Sequence, residues 1–250
     1  MIVVRPVRFT DDVPAMRAFL EILGLQPRIE SQSGSWLDLT ATHGMIGLHE
    51  AARSVTGGRP GETRLSFEVA DANAVAERLR AHGYADATAV DESYGRIVTV
   101  TDPLGAELQL DERQDDLYGY RAHGVELGSE ADLLAVVPVR FTDDADGYHR
   151  FLTALGLTGE PAPGGYAVYA LADRGFVGVH HVYDGTLPIV DGTGASVQLT
   201  LATDGDLDAI QQRLETAGYP VTRTDADWGS FLETTDPDGQ SVQVHPWPAE

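Results

Sequence analysis

The sequence contains no cysteine and no lysine, and all seventeen of its basic residues are arginine. The absence of cysteine excludes disulfides, thiolate metal ligands and cysteine nucleophiles, and it fits a reducing compartment. The absence of lysine excludes Schiff-base catalysis and the phosphate-binding loops that depend on a lysine. Several large classes of enzyme are therefore ruled out before any motif is considered.

Long apolar runs are also missing, and the chain is strongly acidic. No stretch reaches the roughly 18 apolar residues that a membrane-spanning helix needs, and the N-terminal apolar run is too short for a signal peptide. The formal net charge of −22 disfavours contact with nucleic acid and with anionic membrane surfaces. We therefore expect a cytoplasmic protein whose partners include neither a nucleic acid nor a membrane.

An internal duplication dominates the chain. The heptapeptide PVRFTDD occurs at Pro6–Asp12 and again at Pro138–Asp144. Further matches follow in the same order, GMIGLHEA with GFVGVHHV, RLRAHGY with RLETAGY and TDPLGAELQL with TDPDGQSVQV, at offsets of 131 to 135 residues. An ordered series of this kind indicates two homologous domains. We place them at residues 1–112 and 133–250, joined by a linker at 113–132 that has no counterpart.

Each half has the same predicted succession of elements. The alternation of apolar and polar residues in PVRFT predicts a strand. A helix follows, because apolar residues recur at i, i+3, i+4 and i+7 from Met16, and Gly24 is suited to cap its C-terminus. Strand-like segments come next, Asp71 begins a second helix, and GRIVTVTD and AELQLD close the unit. This order is two βαβββ motifs per domain, and it predicts an α+β fold.

The segments VRFTDDVPAMRAFLEILGL, LSFEVADANAVAERLRAHGY and VTDPLGAELQL, with their second copies, resemble the vicinal oxygen chelate superfamily. That family includes glyoxalase I, extradiol dioxygenases, fosfomycin-resistance enzymes and bleomycin-resistance proteins. The resemblance implies two tandem glyoxalase-like domains, in each of which two βαβββ motifs form a cup-shaped mixed sheet with helices outside and a ligand inside. It also implies a pseudo-dimer within one chain, which is then a monomer or a homodimer.

Strand alternation predicts which side chains face each cup, since neighbouring residues of a strand point to opposite faces. On this basis Val7 and Phe9 pack under the helix, and Arg8 faces the cup. Aromatic residues at the rim are expected to stack on a ligand. The predicted ligand-binding residues of the first cup are Arg8, Trp36, His49, Arg64, Glu68 and Gln109, and those of the second are Arg140, Tyr166, His180, Gln198, Trp228 and Gln243.

The metal enzymes of the superfamily hold an ion with ligands on four strands of the cup. The resemblance places these positions at Val4 or Arg5, His49, Arg64 and Gln109, and in the second domain at Val136 or Val137, His180, Ser196 and Gln243. Arginine cannot coordinate a divalent ion, so we predict that the protein uses no metal or other cofactor. A divalent-metal site made by His49, Glu68 and Gln109 stays open as the alternative.

These residues lead to three functional hypotheses. The first is metal-independent binding of a small aromatic or cationic molecule, as in antibiotic-resistance or sequestration proteins. The second is a lyase, isomerase or dioxygenase of the superfamily with a degenerate metal site, for which His49 is the best catalytic candidate. The third is a regulatory or interaction module with empty cups. We favour the first, and with it a protein that is not an enzyme.

Overall fold

The computed structural model describes residues 1–114, 119–125, 133–159, 167–182, 197–226 and 229–247. Within these ranges the chain forms twenty strands and four α-helices, which confirms the predicted α+β class. None of the helices in the described ranges has both the length and the apolar character needed to cross a membrane.

The first domain is built from two mixed sheets with two helices packed on them. Its elements are β1 (Ile2–Val4), β2 (Val7–Thr10), α1 (Val13–Leu23), β3 (Gln26–Ser31), β4 (Trp36–Thr40), β5 (Met45–Glu50), β6 (Thr63–Arg64), β7 (Ser66–Val69), α2 (Ala72–Ala81), β8 (Thr88–Glu92), β9 (Gly95–Thr101) and β10 (Glu107–Glu112). The strand orders are β1-β7-β10-β9-β8 in one sheet and β3-β4-β5-β2-β6 in the other. The chain passes between the sheets at Arg5 and Pro6 and again at Leu65, so the two sheets share two continuous segments of chain.

The second domain repeats this plan. Its elements are β12 (Leu134–Val136), β13 (Val139–Thr142), α3 (Ala145–Leu155), β14 (Ala167–Leu171), β15 (Phe176–His181), β16 (Val197–Gln198), β17 (Thr200–Thr203), α4 (Leu207–Thr216), β18 (Val221–Ala226), β19 (Gly229–Thr235) and β20 (Ser241–Pro246). The strand orders are β12-β17-β20-β19-β18 and β14-β15-β13-β16. The first order matches its counterpart strand for strand, and the second matches β4-β5-β2-β6, with no counterpart of β3 among the described residues. This agreement is the structural expression of the sequence repeat.

The duplicated heptapeptide encodes a strand and the start of the helix that follows it. In the first copy the Asp12 carboxylate accepts the backbone N–H of Ala15 at 2.9 Å, and in the second the Asp144 carboxylate accepts that of Gly147 at 2.8 Å. Such side-chain caps satisfy N–H groups that have no partner inside the helix. The helices end at Gly24 and Gly156 with φ of 114° and 116°, a conformation that favours glycine.

Part of the predicted linker belongs to the first domain. Strand β11 (Tyr120–Ala122) pairs antiparallel with β3 and extends its sheet. The Glu30 carboxylate on β3 holds this strand by accepting hydrogen bonds from Arg121 and from His123, the latter at 3.0 Å. The domain boundaries at residues 112 and 133 stay a prediction, but the linker between them is structured where it is described.

The two domains pack closely and reciprocally. Two isolated β-bridges join the domains, one between Val3 and Arg174 and the other between His43 and Ala135. The Arg78 side chain donates to the carbonyl of Ala154 at 3.2 Å at the end of α3. Its counterpart in α4, Arg213, donates in the same way to the carbonyl of Ile22 near the end of α1. One hydrophobic cluster includes side chains of both domains. Equivalent elements of the two domains therefore contact each other reciprocally across one junction.

Two buried ion pairs cross this junction. Arg8 of the first domain bonds Asp236 of the second, and Arg140 of the second bonds Asp102 of the first at 2.7 Å. Both aspartates belong to the TDPxG turns, and both arginines to the duplicated heptapeptide. The Tyr148 hydroxyl also donates to Asp102, at 3.1 Å. The two motifs that define the repeat thus join each domain to its twin.

Candidate functional site

A cavity of about 1300 Å³ lies inside the first domain, between its two sheets. Strands of both sheets line it, together with β11 and, among the described residues, two of the second domain, Arg140 and Val197. Its lining includes rings as well as charged groups. The residues with rings are Phe9, Trp36, His49, Tyr94 and Tyr120.

Three of these rings form a continuous wall. The parallel register of β2 and β5 places Phe9 opposite His49, and the antiparallel register of β4 and β5 places Trp36 opposite the same histidine. The His49 ring lies 5.5 Å from that of Phe9 and 5.6 Å, edge to face, from that of Trp36. The Arg64 guanidinium lies 4.9 Å from the centre of the Phe9 ring, and that of Arg5 lies 5.4 Å from the centre of the Trp36 ring. We call these five side chains the aromatic wall.

Glycine makes room for two rings of this wall. A Cβ atom at Gly47 would come within 3.0 Å of the Trp36 ring, and one at Gly58 would overlap the ring of Phe9. The rings therefore rest directly on backbone, which fixes their positions without polar contacts.

A buried charge network lies at one end of the cavity. Arg5 bonds Asp111 and lies 3.5 Å from Asp38, and Arg28 lies 2.9 Å from Glu68. Asp38 is fully buried, and burial raises the pKa of its carboxyl despite the opposing effect of Arg5 and Arg28. Each guanidinium in this network is thus already matched by carboxylates.

The remaining arginines of the cavity are also paired. Arg64 donates to Glu62 at 2.6 Å and to the hydroxyl of Thr56 at 2.9 Å. Although burial raises it, the hydrogen bonds from Arg64 and from the backbone of Arg59 lower the pKa of Glu62 below its usual value. Among the described residues that line the cavity, six carboxylates face four arginines: Glu62, Glu68, Asp102, Glu107, Asp111 and Glu112 against Arg5, Arg28, Arg64 and Arg140. The surplus of negative charge favours a cation over an anion.

A second part of the cavity lining, outside the aromatic wall, is polar. The Gln109 amide donates to the Tyr94 hydroxyl at 3.0 Å and lies 3.3 Å from the carboxylate of Asp111. Tyr120, from β11, lines the cavity beside them, and burial raises the pKa of its hydroxyl. The linker therefore supplies part of the site.

The structure brings together most of the residues predicted for the first cup. Trp36, His49, Arg64, Glu68 and Gln109 all line the one cavity. Their role in binding a ligand stays a prediction.

The prediction for Arg8 is wrong. Its side chain lies outside the cavity lining, is 1% exposed and bonds Asp236 of the other domain, whereas Val7 and Phe9 face the cavity. Alternation correctly separated the two faces of β2, but the more apolar face was assigned to the helix side. The cup wall is itself aromatic here, so hydrophobicity alone could not tell the two sides apart.

Arg140 is also placed differently from its prediction. It lies on the wall of the first-domain cavity and is bonded to Asp102. The repeat aligns Arg140 with Arg8, but the two arginines are not equivalent with respect to this cavity.

The other second-cup residues are described only in part. His180 is exposed, with its ring 5.5 Å from that of Phe141, and Gln198 and Gln243 are partly buried. The side-chain oxygen of Gln243 accepts a hydrogen bond from Nε2 of His245 at 2.9 Å. Tyr166 and Trp228 lie outside the described residues, so the predictions for them, and for a ligand in the second cup, stay predictions.

The second domain has no equivalent of the charge network at the aligned positions. By the sequence repeat and the matching strand registers, Arg5, Glu68 and Asp111 correspond to Val137, Ala202 and His245, so Ala202 rather than the predicted Thr200 is the counterpart of Glu68. Val137 belongs instead to a small apolar cluster with Phe176 and Trp247, among others. The two cups have therefore diverged in polarity, and the first is the better candidate site.

The donor set of the first cavity does not fit a divalent metal ion. Of the alternative triad, Glu68 is paired with Arg28 and the Gln109 amide donates to Tyr94, whereas His49 bonds the carbonyl of Glu50 through Nδ1 at 2.8 Å and keeps Nε2 available; one imidazole is too few for a divalent site. Arg64 stands at a position that the sequence resemblance assigns to a ligand, and its guanidinium would repel a cation. In the described ranges no three histidines or acidic residues are grouped so as to hold a metal ion. That the protein uses no metal stays a prediction.

Sequence reasoning missed several side chains of the cavity. Asp111 continues the alternation of Glu107 and Gln109 by one more step, and following the strand to its end would have found it. Arg28 and Asp38 gave no such signal, because their partners lie on other strands and only the assembled sheet brings them together.

Comparisons with known proteins place the fold but not the activity. No protein-family model matches the sequence, and no curated protein matches it. The structure is similar to a catechol 2,3-dioxygenase, with 15% identity, a TM-score of 0.63 and coverage of 99% of this chain and 89% of that one. A 2,3-dioxygenase from Pseudomonas sp. KL28 is 12% identical, with a TM-score of 0.65 and coverage of 99% and 91%.

A glyoxalase shares the same architecture. The Mn(II)-bound glyoxalase from Novosphingobium aromaticivorans is 16% identical, with a TM-score of 0.56 and coverage of 99% of this chain and 86% of that one. The similarity spans both domains in each comparison. The chain therefore has the same two-domain fold as these dioxygenases and this glyoxalase.

Proposed function

We propose that the first-domain cavity binds a small aromatic molecule, preferably a cationic one, without a metal ion. The observation that carries this proposal is the lining, in which the aromatic wall stands beside carboxylates that outnumber the arginines. Ligand cavities of about 300–1,000 Å³ typically combine aromatic surface with a few polar groups. A cavity of about 1300 Å³ is large enough for such a molecule.

The preference for a cation follows from how the charges are paired. Each cavity arginine bonds a carboxylate, so none offers an uncompensated positive charge to an anionic ligand. Glu107, by contrast, is an exposed carboxylate on the cavity lining that none of the described ion pairs includes. It is suited to meet a ligand's ammonium group.

Binding of this kind serves sequestration, the role of the bleomycin-resistance proteins that the sequence resembles. Retention of a toxic aromatic compound requires a cavity and stacking surfaces, but no reactive group. We assign this role to the first cup, and we leave the second cup without an assignment.

A metal-dependent enzyme is the competing function. The fold favours it, since the solved structures of similar fold include dioxygenases and a Mn(II)-bound glyoxalase. The donor set weighs against it, because Glu68 is paired with Arg28, the cationic Arg64 lines the same cavity, and Nε2 of His49 is a single imidazole ligand.

A set of four naphthalenes tests the proposal. The probes are 6-aminomethyl-2-naphthol, its methyl ether, 2-naphthol and 2-methoxynaphthalene, measured by isothermal titration calorimetry on EDTA-treated protein. We expect the two cationic probes to bind about tenfold more tightly than the two uncharged ones, equivalent to about 1.4 kcal/mol.

Two variants locate the cation site. Glu107→Gln removes the charge on the lining, whereas Glu92→Gln removes an equally exposed charge on β8 that does not line the cavity. We expect only the first to weaken binding of the cationic probes, and neither to alter binding of the uncharged ones. Equal loss in both variants, or no binding of any probe, would contradict the proposal.

A further inference from the structure

His49 has a fixed tautomer. Its Nδ1 atom lies 2.8 Å from the backbone carbonyl of Glu50. A carbonyl oxygen can only accept a hydrogen bond, so the proton of the neutral ring must reside on Nδ1. Nε2 then carries the lone pair and can only accept.

The direction of this acceptor is fixed as well. The ring is held between Phe9 at 5.5 Å and Trp36 at 5.6 Å, within the aromatic wall. Trp36 in turn rests on the backbone of Gly47, so the wall has little room to rearrange. His49 lines the cavity, and none of the described residues donates a hydrogen bond to its Nε2.

From this geometry we infer that His49 selects ligands whose aromatic ring carries an O–H or N–H donor, namely phenols and aryl amines. The inference rests on the proposed function and narrows its ligand class. A ring stacked on the wall brings its edge to Nε2, where a donor completes the hydrogen bond. A ligand with an ether in place of the donor leaves the acceptor desolvated and unpaired, which is the costly outcome.

The other acceptors of the cavity do not serve this purpose as well. Glu62 and one oxygen of Glu68 already accept from Arg64 and Arg28, and neither carboxylate belongs to the aromatic wall. The neutral imidazole is the acceptor within the aromatic wall, next to the stacking surface. It therefore recognises the donor on the ligand's ring, while the lining carboxylates recognise the ligand's positive charge.

The naphthalene set tests this inference in the unaltered protein. 6-Aminomethyl-2-naphthol and its methyl ether have the same ring and the same charge, and they differ only in the donor. We expect the phenol to bind about tenfold more tightly than the ether. Equal affinity of the two would overturn the inference, and this comparison needs no variant.

A variant and a matched control assign the effect to one side chain. His49→Phe keeps a ring in the wall but removes Nε2, and we expect it to bind phenol and ether equally. His180→Phe makes the same change at the equivalent position of the second domain, where the exposed ring contacts Phe141 at 5.5 Å. We expect it to retain the preference for the phenol.

A preference that persists in His49→Phe would overturn the inference, as would its loss in His180→Phe. Far-ultraviolet circular dichroism confirms that both variants are folded. The two proposals fail separately: if no probe binds, the proposed function fails, whereas binding that ignores the donor removes only the role of His49.

Discussion

The buried ion pair between Arg8 and Asp236 gives the sharpest test of how the two domains are joined. The two oxygens of the Asp236 carboxylate have different partners. Oδ1 accepts the backbone N–H groups of Asp238 at 3.0 Å and Gln240 at 2.9 Å, which shapes the turn, and Oδ2 bonds Arg8. Asp236→Asn therefore keeps the turn and the volume, but it removes the charge that Arg8 faces.

The expected cost follows from burial. Arg8 and Asp236 side chains are 2% and 0% exposed, and removing one partner of such a pair costs about 3–5 kcal/mol. Asp238 lies 3.9 Å from Nε of Arg8 and offsets part of the loss, although burial raises the pKa of its carboxyl. We therefore expect the lower end, about 3 kcal/mol, which for a chain of this length lowers Tm by roughly 6–12 °C.

Thermal and urea unfolding, followed by circular dichroism, measure the change. Asp102→Asn breaks the twin pair with Arg140 and should have a similar effect. Glu21→Gln is the control, since it breaks an exposed pair with Arg17 that is worth about 0.3–0.5 kcal/mol. If Asp236→Asn were no more destabilising than this control, the junction would not depend on the crossed pairs.

Three further predictions concern the wall, the junction and the linker. Trp36→Leu should weaken binding of 6-aminomethyl-2-naphthol about three- to tenfold, the value of about 0.5–1.5 kcal/mol for one aromatic pair, as measured by calorimetry. Burial lowers the pKa of His43 below 6.5, so the unfolded chain takes up a proton at a higher pH than the folded chain does. The urea midpoint should therefore fall as the pH drops below 6.5, and it should fall less in His43→Gln. Although burial opposes it, hydrogen bonds from Arg121 and His123 lower the pKa of Glu30 below 4.5, so the stability it confers is present above that value and lost as the pH falls below it. Limited proteolysis should therefore cut near β11 sooner in Glu30→Gln than in the unaltered protein at neutral pH.

Much of the fold could be predicted from local sequence signals. The repeat gave the two domains, the spacing of apolar residues gave the helices, and Asp12 and Gly24 cap α1 as aspartate and glycine commonly do. The short strand Ile2–Val4 was not predicted as a separate element, because its boundary at Pro6 depends on which sheet each segment joins. Similarly, the linker gave no sign of β11, whose place is determined by the open edge of β3.

The site was harder to predict because its contacts depend on assembly. Alternation along β2 separates Arg8 from Phe9 but does not say which face is the cup when both sides are apolar. The TDPxG segments form turns, and their aspartates also bond arginines of the opposite domain. No single-domain pattern contains that information, since it arises only when the two copies pack together.

The central claim is that the first cup captures an aromatic ligand without a metal ion. Calorimetric titration of metal-depleted protein with 6-aminomethyl-2-naphthol, repeated after addition of Mn(II), Fe(II) or Zn(II), tests it most directly. The account predicts the same affinity in every case, reduced by Trp36→Leu. Binding that occurs only after a metal is restored would contradict it.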